Sequence, residues 1–205
     1  MNMDIKKQLV EFYEKNADFR ENSQKSWWKI MMRDRFLFHM KERGLTSYLE
    51  IGAGTGQDSV YFKENGLKPT CIDLSPRHVG FCLEKGLEAR VMDFYEMDFK
   101  DGMFQGLFAM NCLLHVPFDD LGKVLGELRR IMTRDGIAFI GNYGGRDTEG
   151  VIETSKGIGY RFFSSMGYNK YKEKLIESGF YILESGMLEP SEERSFNYFI
   201  LGKIT

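Results

Sequence analysis

Cysteine, proline and tryptophan are scarce in this sequence, and it has no long apolar run. Its 205 residues include 3 cysteines, 4 prolines and 2 tryptophans. Cys71, Cys82 and Cys112 are an odd number without a Cys-x-x-Cys spacing, so we expect reduced, buried thiols in a cytoplasmic protein and no metal site. No segment is long and apolar enough to cross a bilayer, and the charged N-terminal segment lacks an export signal, so we expect no membrane anchor.

Net charge is also small. A formal charge of −2 and a pI near 6.0 give no general attraction to phosphate backbones, which disfavours nucleic acid as a partner. Hydrophobic residues, in contrast, make up 42% of the chain and include 17 phenylalanines. This composition is typical of a globular protein with one sizeable core, and it leaves open whether the protein is a monomer or a homodimer.

Three closely spaced glycines follow the first β-favouring run. Residues 48–51 are apolar and end in Gly52-Ala53-Gly54-Thr55-Gly56, after which an amphipathic segment begins. This pattern predicts a strand, a tight turn and a helix, because glycine adopts positive φ and lets a ligand approach the backbone. The start of such a helix offers unpaired N–H groups. The turn therefore predicts a nucleotide or nucleoside site.

Strand and helix patterns alternate through the rest of the chain. Helical periodicity covers residues 4–43, with a break at residues 20–24. The predicted strands are residues 48–51, 69–73, 88–92, 106–110, 137–141, 180–183 and 196–201. The predicted later helices are residues 58–65, 75–85, 119–132 and 168–178. This alternation predicts an α/β protein with a mostly parallel sheet covered on both faces. The last two strands have no helix between them, so one of them should be antiparallel. Residues 142–167 are expected to form a long functional loop.

The glycine turn departs from the dinucleotide fingerprint at its last position. Gln57 occupies the place of the third glycine in Gly-x-Gly-x-x-Gly, which disfavours a nucleotide-binding oxidoreductase. Asp73 lies about 20 residues after the glycines, where a carboxylate can accept hydrogen bonds from a ribose diol. A ribose-containing ligand therefore remains the prediction.

Five segments in this order resemble the motifs of class I S-adenosylmethionine-dependent methyltransferases. They are residues 49–56 (LEIGAGTG), 72–76 (IDLSP), 91–94 (VMDF), 113–117 (LLHVP) and 129–136 (RRIMTRDG). The last departs from the family pattern at Asp135, where glycine is usual. Residues 161–163, 177–180 and 196–197 extend the similarity to small bacterial members of mostly unassigned substrate. The resemblance implies a Rossmann-like, doubly wound, seven-stranded sheet, S-adenosylmethionine as cofactor and a cytoplasmic enzyme. It also implies an N-terminal helical cap over residues 1–44 and a methyltransferase domain over residues 45–205.

The same resemblance implies a set of cofactor-binding residues. They are Tyr13, Glu50, Gly52, Ala53, Gly54, Gly56, Asp73, Leu74, Met92, Asp93, Phe94 and Asn111. Glu50 would accept from the methionine ammonium, Asp73 from the ribose hydroxyls and Asp93 from the adenine amino group. Tyr13 would lie over the carboxylate. Alternatively, the two aspartates are turn or helix-capping residues, and Tyr13 is plain core.

The acceptor should bind beyond the carboxyl ends of the strands, near the first helices and the long loop. The candidates there are Trp28, His115, Tyr143, Arg146 and Arg161. His115 is predicted to be a base or an orienting residue, with a packed, backbone-bonded histidine as the alternative. For Trp28 the alternative is a position in the core, and for Arg146 and Arg161 it is a solvated position on the surface. A small-molecule acceptor is the leading hypothesis; RNA, protein and a non-catalytic cofactor-binding module are the alternatives.

Overall fold

The computed structural model describes residues 3–153, 159–192 and 194–204; parts of the predicted cap, long loop and methyltransferase domain lie outside these ranges. Its strands are β1 (Ser47–Ile51), β2 (Lys68–Asp73), β3 (Glu88–Val91), β4 (Phe104–Met110), β5 (Met132–Gly144), β6 (Thr148–Glu153), β7 (Tyr160–Ser165), β8 (Phe180–Ser191) and β9 (Arg194–Lys203). Seven of them form one sheet in the order β3-β2-β1-β4-β5-β9-β8. All neighbours are parallel except β9, which is antiparallel to both β5 and β8. The predicted α/β, Rossmann-like sheet with a C-terminal antiparallel strand is confirmed.

Helices cover both faces of this sheet. They are α1 (Met3–Lys15), α2 (Ala17–Glu21), α3 (Trp27–Glu42), α4 (Gln57–Glu64), α5 (Pro76–Glu84), α6 (Leu121–Ile131) and α7 (Tyr168–Glu177). Side chains alternate along β1, so Tyr48 joins the core beneath α3 and α4, whereas Leu49 joins the core beneath α6 and α7. No helix in the described ranges is long and apolar enough to span a membrane.

Residues 142–167 differ from the predicted loop. β5 continues to Gly144, and β6 and β7 form an antiparallel hairpin that is a separate two-stranded sheet. The sequence gives little sign of β6, because its side chains are almost all exposed and Gly150 interrupts it. Only β7 alternates, with Phe162 and Ser164 buried. Residues 154–158 of this segment lie outside the described part of the chain.

The N-terminal helices divide between two roles. α3 packs Trp28, Met32 and Phe36 into the core of the sheet. α1 instead contacts β7 and α5. Its Glu14 Oε1 accepts hydrogen bonds from Ser75 Oγ at 2.5 Å and from the Arg77 N–H at 3.0 Å, at the start of α5. α1 is therefore fixed across the carboxyl ends of the strands.

Candidate cofactor and acceptor site

A cavity of about 480 Å³ lies between α1 and the carboxyl ends of β1, β2 and β4. This volume is in the usual range of small-molecule and cofactor sites. Of the residues expected in the site, those that line the cavity are Tyr13, Glu50, Gly52, Ala53, Gly54, Asp73, Leu74, Met92, Phe94, Asn111, His115 and Arg161. The structure therefore brings together residues from the N-terminal segment, four strand ends and the hairpin.

Two expected cofactor residues lie just outside this lining. Gly56 begins α4 with φ +80°, and a Cβ there would lie 2.7 Å from Leu87 Cδ1 and 2.8 Å from Cys82 Sγ. It lets the helix pack closely against its neighbours. Asp93 accepts from the Tyr95 N–H at 3.0 Å and pairs with the Lys6 ammonium at 2.8 Å. Its carboxylate thus takes part in a turn, which is the alternative role that the sequence analysis considered for Asp93.

Three expected acceptor residues are also absent from the lining. Trp28 is buried against Phe196, with ring centroids 4.6 Å apart, and against Tyr143 at 5.8 Å. Both expected residues thus belong to the aromatic core next to the cavity. Arg146 is exposed in the turn between β5 and β6.

Asp73 holds the glycine turn in place. Its Oδ2 accepts from the Gly54 N–H at 2.8 Å, and its Oδ1 accepts from the Ser75 N–H at 2.9 Å. Gly52 is needed where the turn passes under β4, because a Cβ there would lie 2.5 Å from Cys112 Cβ. A carboxylate oxygen has two acceptor positions, so Asp73 can stabilise the turn and still accept from a ligand hydroxyl.

Gln57 has a structural role of its own. Its side-chain Nε2 donates to the carbonyl oxygens of Glu21 at 3.0 Å and Ser23 at 3.3 Å. The residue that replaces the third glycine of the dinucleotide fingerprint thus ties the end of α2 to the turn.

Glu50 is a buried carboxyl group below the turn. It accepts a hydrogen bond from Ser59 Oγ. Burial, then the neighbouring charge of Asp58, raises the pKa of Glu50 well above its usual range. Asp58 itself forms an ion pair with Lys25, and its buried Oδ1 has no hydrogen-bond partner in the described ranges. A cationic ligand group beside Glu50 would favour the ionised carboxylate.

Asn111 leaves polar atoms unpaired at the other side of the cavity. Its φ is +59°, a conformation that asparagine tolerates better than most residues. Within the described part of the chain, neither Oδ1 nor Nδ2 has a hydrogen-bond partner, and both are buried. Buried amide atoms are normally hydrogen-bonded. Together with Glu50, this unpaired amide fits the ammonium and carboxylate of a methionine moiety.

His115 connects α1 to the hairpin. The Phe162 carbonyl oxygen lies 2.7 Å from its Nδ1, which must donate, and the Tyr13 hydroxyl lies 2.6 Å from its Nε2. Arg161 Nη1 donates to that same hydroxyl at 2.8 Å, so the Tyr13 proton points to Nε2. Burial and then Arg161 lower the pKa of His115 to about 3. The ring is therefore neutral at physiological pH, and both of its nitrogens are engaged.

Several residues of the lining were not predicted from the sequence. They are chiefly Arg20, Lys25, Lys29, Asp58, His78 and Arg194. Lys25 precedes α3 and Lys29 lies in its first turn, so helical spacing did not indicate that both line the cavity. Arg20 and Arg194 come from distant segments, so no local pattern could have joined them.

Known proteins resemble this chain in sequence and in fold. Residues 49–140 match the family model of the methyltransferase domain. A phosphatidylethanolamine N-methyltransferase of Cereibacter sphaeroides is 31% identical over 145 residues, which cover 67% of this chain and 69% of that protein.

Solved structures share the fold at low identity. 1,6-Didemethyltoxoflavin-N1-methyltransferase of Burkholderia thailandensis, crystallised with 1,6-didemethyltoxoflavin and S-adenosylhomocysteine, has a TM-score of 0.74 at 20% identity, covering 98% of this chain and 87% of that one. Magnesium protoporphyrin IX methyltransferase of Synechocystis, with bound S-adenosylhomocysteine, has a TM-score of 0.73 at 14% identity, with 97% and 100% covered. The chain belongs to the class I methyltransferases, enzymes that use S-adenosylmethionine as methyl donor.

Proposed function

We propose that this methyltransferase acts on a small-molecule acceptor, which binds in the cavity beneath α1. The observation that carries the proposal is the closure of the acceptor side. α1 and β7 contact each other above the cavity, and Arg161, Tyr13 and His115 are hydrogen-bonded across their junction. A site closed in this way accommodates a compact molecule better than a polymer. The acidic pI of 6.0 also disfavours RNA.

The names of relatives support the same class of acceptor. The Burkholderia enzyme was crystallised with the small heterocycle 1,6-didemethyltoxoflavin, and the relative of 31% identity is named for an ethanolamine lipid. Neither name assigns an acceptor to this chain, but both describe transfer to nitrogen.

In the proposed cofactor site, Glu50 accepts from the ammonium group, Asp73 accepts from the ribose hydroxyls and the Asn111 amide bonds the methionine end. Leu74, Met92 and Phe94 enclose the adenine. Bound S-adenosylmethionine supplies a methyl group on a positively charged sulfur, and the sulfur keeps the bonding electron pair when a nucleophile takes the methyl carbon. The chain's own task is alignment and exclusion of water.

His115 acts in this proposal as an orienting residue rather than as a base. Its Nε2 is occupied by the Tyr13 hydroxyl, and burial keeps the pKa near 3, so it has no free lone pair for an incoming proton. The acceptor should therefore bring a lone pair of its own, as a neutral amine does, and release its proton to solvent.

We also propose that residues 1–44 serve as the cap and residues 45–205 as the methyltransferase domain. A cytoplasmic location fits the described cysteines, which are all free and buried.

The experiment is a methyl-transfer assay with purified full-length protein. Release of S-adenosylhomocysteine would be followed with pooled small amines, with total RNA and with denatured lysate protein as acceptors. Transfer to a small molecule is expected. Transfer confined to RNA or protein would overturn the proposed acceptor class.

A further inference from the structure

Cationic side chains collect on the acceptor side of the cavity without salt bridges to carboxylates of the described residues. Arg20, Lys29, Arg161 and Arg194 all line it. Among the residues that the structure describes, no carboxylate forms a salt bridge with any of these four, although most other basic side chains around the cavity are paired, as Lys25 is with Asp58. They come from α2, α3, β7 and β9, so the cluster is assembled by the tertiary fold.

The side chains are held in place by aromatic rings rather than by acids. The Arg20 guanidinium lies 4.7 Å from the Tyr13 ring centroid, and the Arg161 guanidinium lies 5.2 Å from that of Phe12. The Lys29 ammonium is 5.4 Å from the Trp28 ring. Aromatic faces attract these cations but do not cancel their charge. Arg161 Nε is buried and has no hydrogen-bond partner among the residues that the structure describes.

The pKa of Lys29 reflects the positive charges around it. It is partly buried, and burial, followed by the charges of Lys25 and Arg20 and the weaker effect of Arg161, lowers its pKa to about 8. Asp58 is the anion that opposes this shift, and it is already paired with Lys25. Crowding of like charges in a cleft is characteristic of a binding site for the opposite charge.

The cofactor does not supply the missing negative charge. Five cationic side chains line the cavity against the carboxyl groups of Glu50, Asp58 and Asp73. S-adenosylmethionine carries an ammonium and a sulfonium against a single carboxylate, so its binding increases the positive excess. An anionic group on the acceptor would offset this positive excess.

We infer that the methyl acceptor carries a phosphate group, held by Lys29 and Arg161 with Arg20 at the mouth of the cavity. The inference rests on the proposed function and specifies its acceptor. A phosphate offers several oxygens to donors that approach from different elements. Arg161 can present its Nε and a second N–H as a fork, and Lys29 supplies a point charge. A carboxylate would satisfy fewer of these donors.

Binding to the protein saturated with S-adenosylhomocysteine tests the inference. Inorganic phosphate, phosphoethanolamine and ethanolamine would be titrated by calorimetry at low ionic strength. Vesicles of phosphatidylcholine with and without phosphatidylethanolamine would be tested by co-sedimentation. The variants are Lys29→Met and Arg161→Gln. Lys41→Met on the same helix and Arg134→Gln are matched controls, because both control residues are exposed and lie outside the cavity.

We expect a phosphate compound to bind and ethanolamine to bind far more weakly. Lys29→Met and Arg161→Gln should each reduce that binding by about tenfold or more, since each removes a charge-assisted contact, while the controls stay within about twofold. Binding of soluble phosphoethanolamine or phosphate indicates a free metabolite. Binding only to vesicles that contain phosphatidylethanolamine indicates a lipid headgroup. Either source supports the inference.

A second titration separates this role from cofactor binding. 5′-Methylthioadenosine lacks the amino-acid part of S-adenosylhomocysteine. If both variants weaken S-adenosylhomocysteine but not 5′-methylthioadenosine, the cations serve the cofactor carboxylate and the inference is wrong. It is also wrong if the wild type binds S-adenosylhomocysteine but none of the phosphate probes. Methyl transfer to a small molecule without phosphate preference would leave the proposed function standing and refute the inference alone.

Discussion

Lys29→Met should stabilise the ligand-free protein at pH 7. The pKa of Lys29 falls from 10.5 to about 8 on folding, which corresponds to about 3 kcal/mol of free energy spent on holding the charged form in place. Because the site is partly open to water, screening reduces this to about 1–2 kcal/mol. Methionine keeps the apolar stem and removes the charge. For a chain of this length the gain raises the melting temperature by about 4 °C.

The difference in stability between Lys29→Met and the wild type depends on pH. Below pH 8 both the folded and the unfolded chain bind the Lys29 proton, so the full penalty is present. Between pH 8 and 10.5 only the unfolded chain binds it, and the wild type gains stability relative to the variant as pH rises.

Thermal melting followed by circular dichroism at pH 7 and pH 10, without ligand, measures the difference in melting temperature between the variant and the wild type. The gap between Lys29→Met and wild type should shrink at pH 10, and Lys41→Met should differ from wild type at neither pH. A variant that melts at or below the wild type at pH 7 would refute the reasoning.

Three further predictions concern the cofactor side. Asp73→Ala removes a carboxylate that holds the glycine turn and that we assign to the ribose, so affinity for S-adenosylhomocysteine should fall about a hundredfold in calorimetry; unchanged affinity would reject the assignment. Gly56→Ala places a methyl group 2.7 Å from Leu87 at a φ of +80°, and a loss of about 1–3 kcal/mol in urea unfolding is expected, so equal stability would contradict the packing role. His115 stays neutral above a pKa of about 3, so any inflection of kcat/KM near pH 6.5, such as one from a phosphate group of the acceptor, should persist in His115→Gln; an inflection there that His115→Gln abolishes would reveal a base.

The sheet was predictable from the sequence because each buried strand is a short apolar run that ends in a turn or at a cap. The strand ends then indicate where polar side chains meet, and Glu50, Asp73 and Asn111 do lie around one cavity. Their roles toward the cofactor stay predictions. The hairpin was not predictable, because the side chains of β6 are almost all exposed. Its sequence therefore shows no apolar alternation.

The unpaired cations show a different limit of sequence analysis. Arg20 and Lys29 each look like ordinary solvated residues within their own segments, and only Arg161 was a candidate from the sequence. What distinguishes them is that none forms a salt bridge with a carboxylate of the described residues, and that can be judged only when α2, α3 and β7 are placed side by side. Trp28 shows the opposite case. It was a candidate acceptor residue in the sequence, but its side chain packs in the core of the sheet.

The separation of the cavity walls along the chain has an evolutionary consequence. Apart from Tyr13 of α1, the residues assigned to the donor come from one continuous stretch between β1 and Asn111, whereas the cations assigned to the acceptor come from the N-terminal helices α2 and α3 and from the β6–β7 hairpin. Insertion, deletion or exchange in those outer segments can change which molecule is methylated while the donor wall stays intact. Homologues of this chain can therefore be grouped by the charge of these two outer segments. Exchange of the hairpin alone is a compact way to change the acceptor.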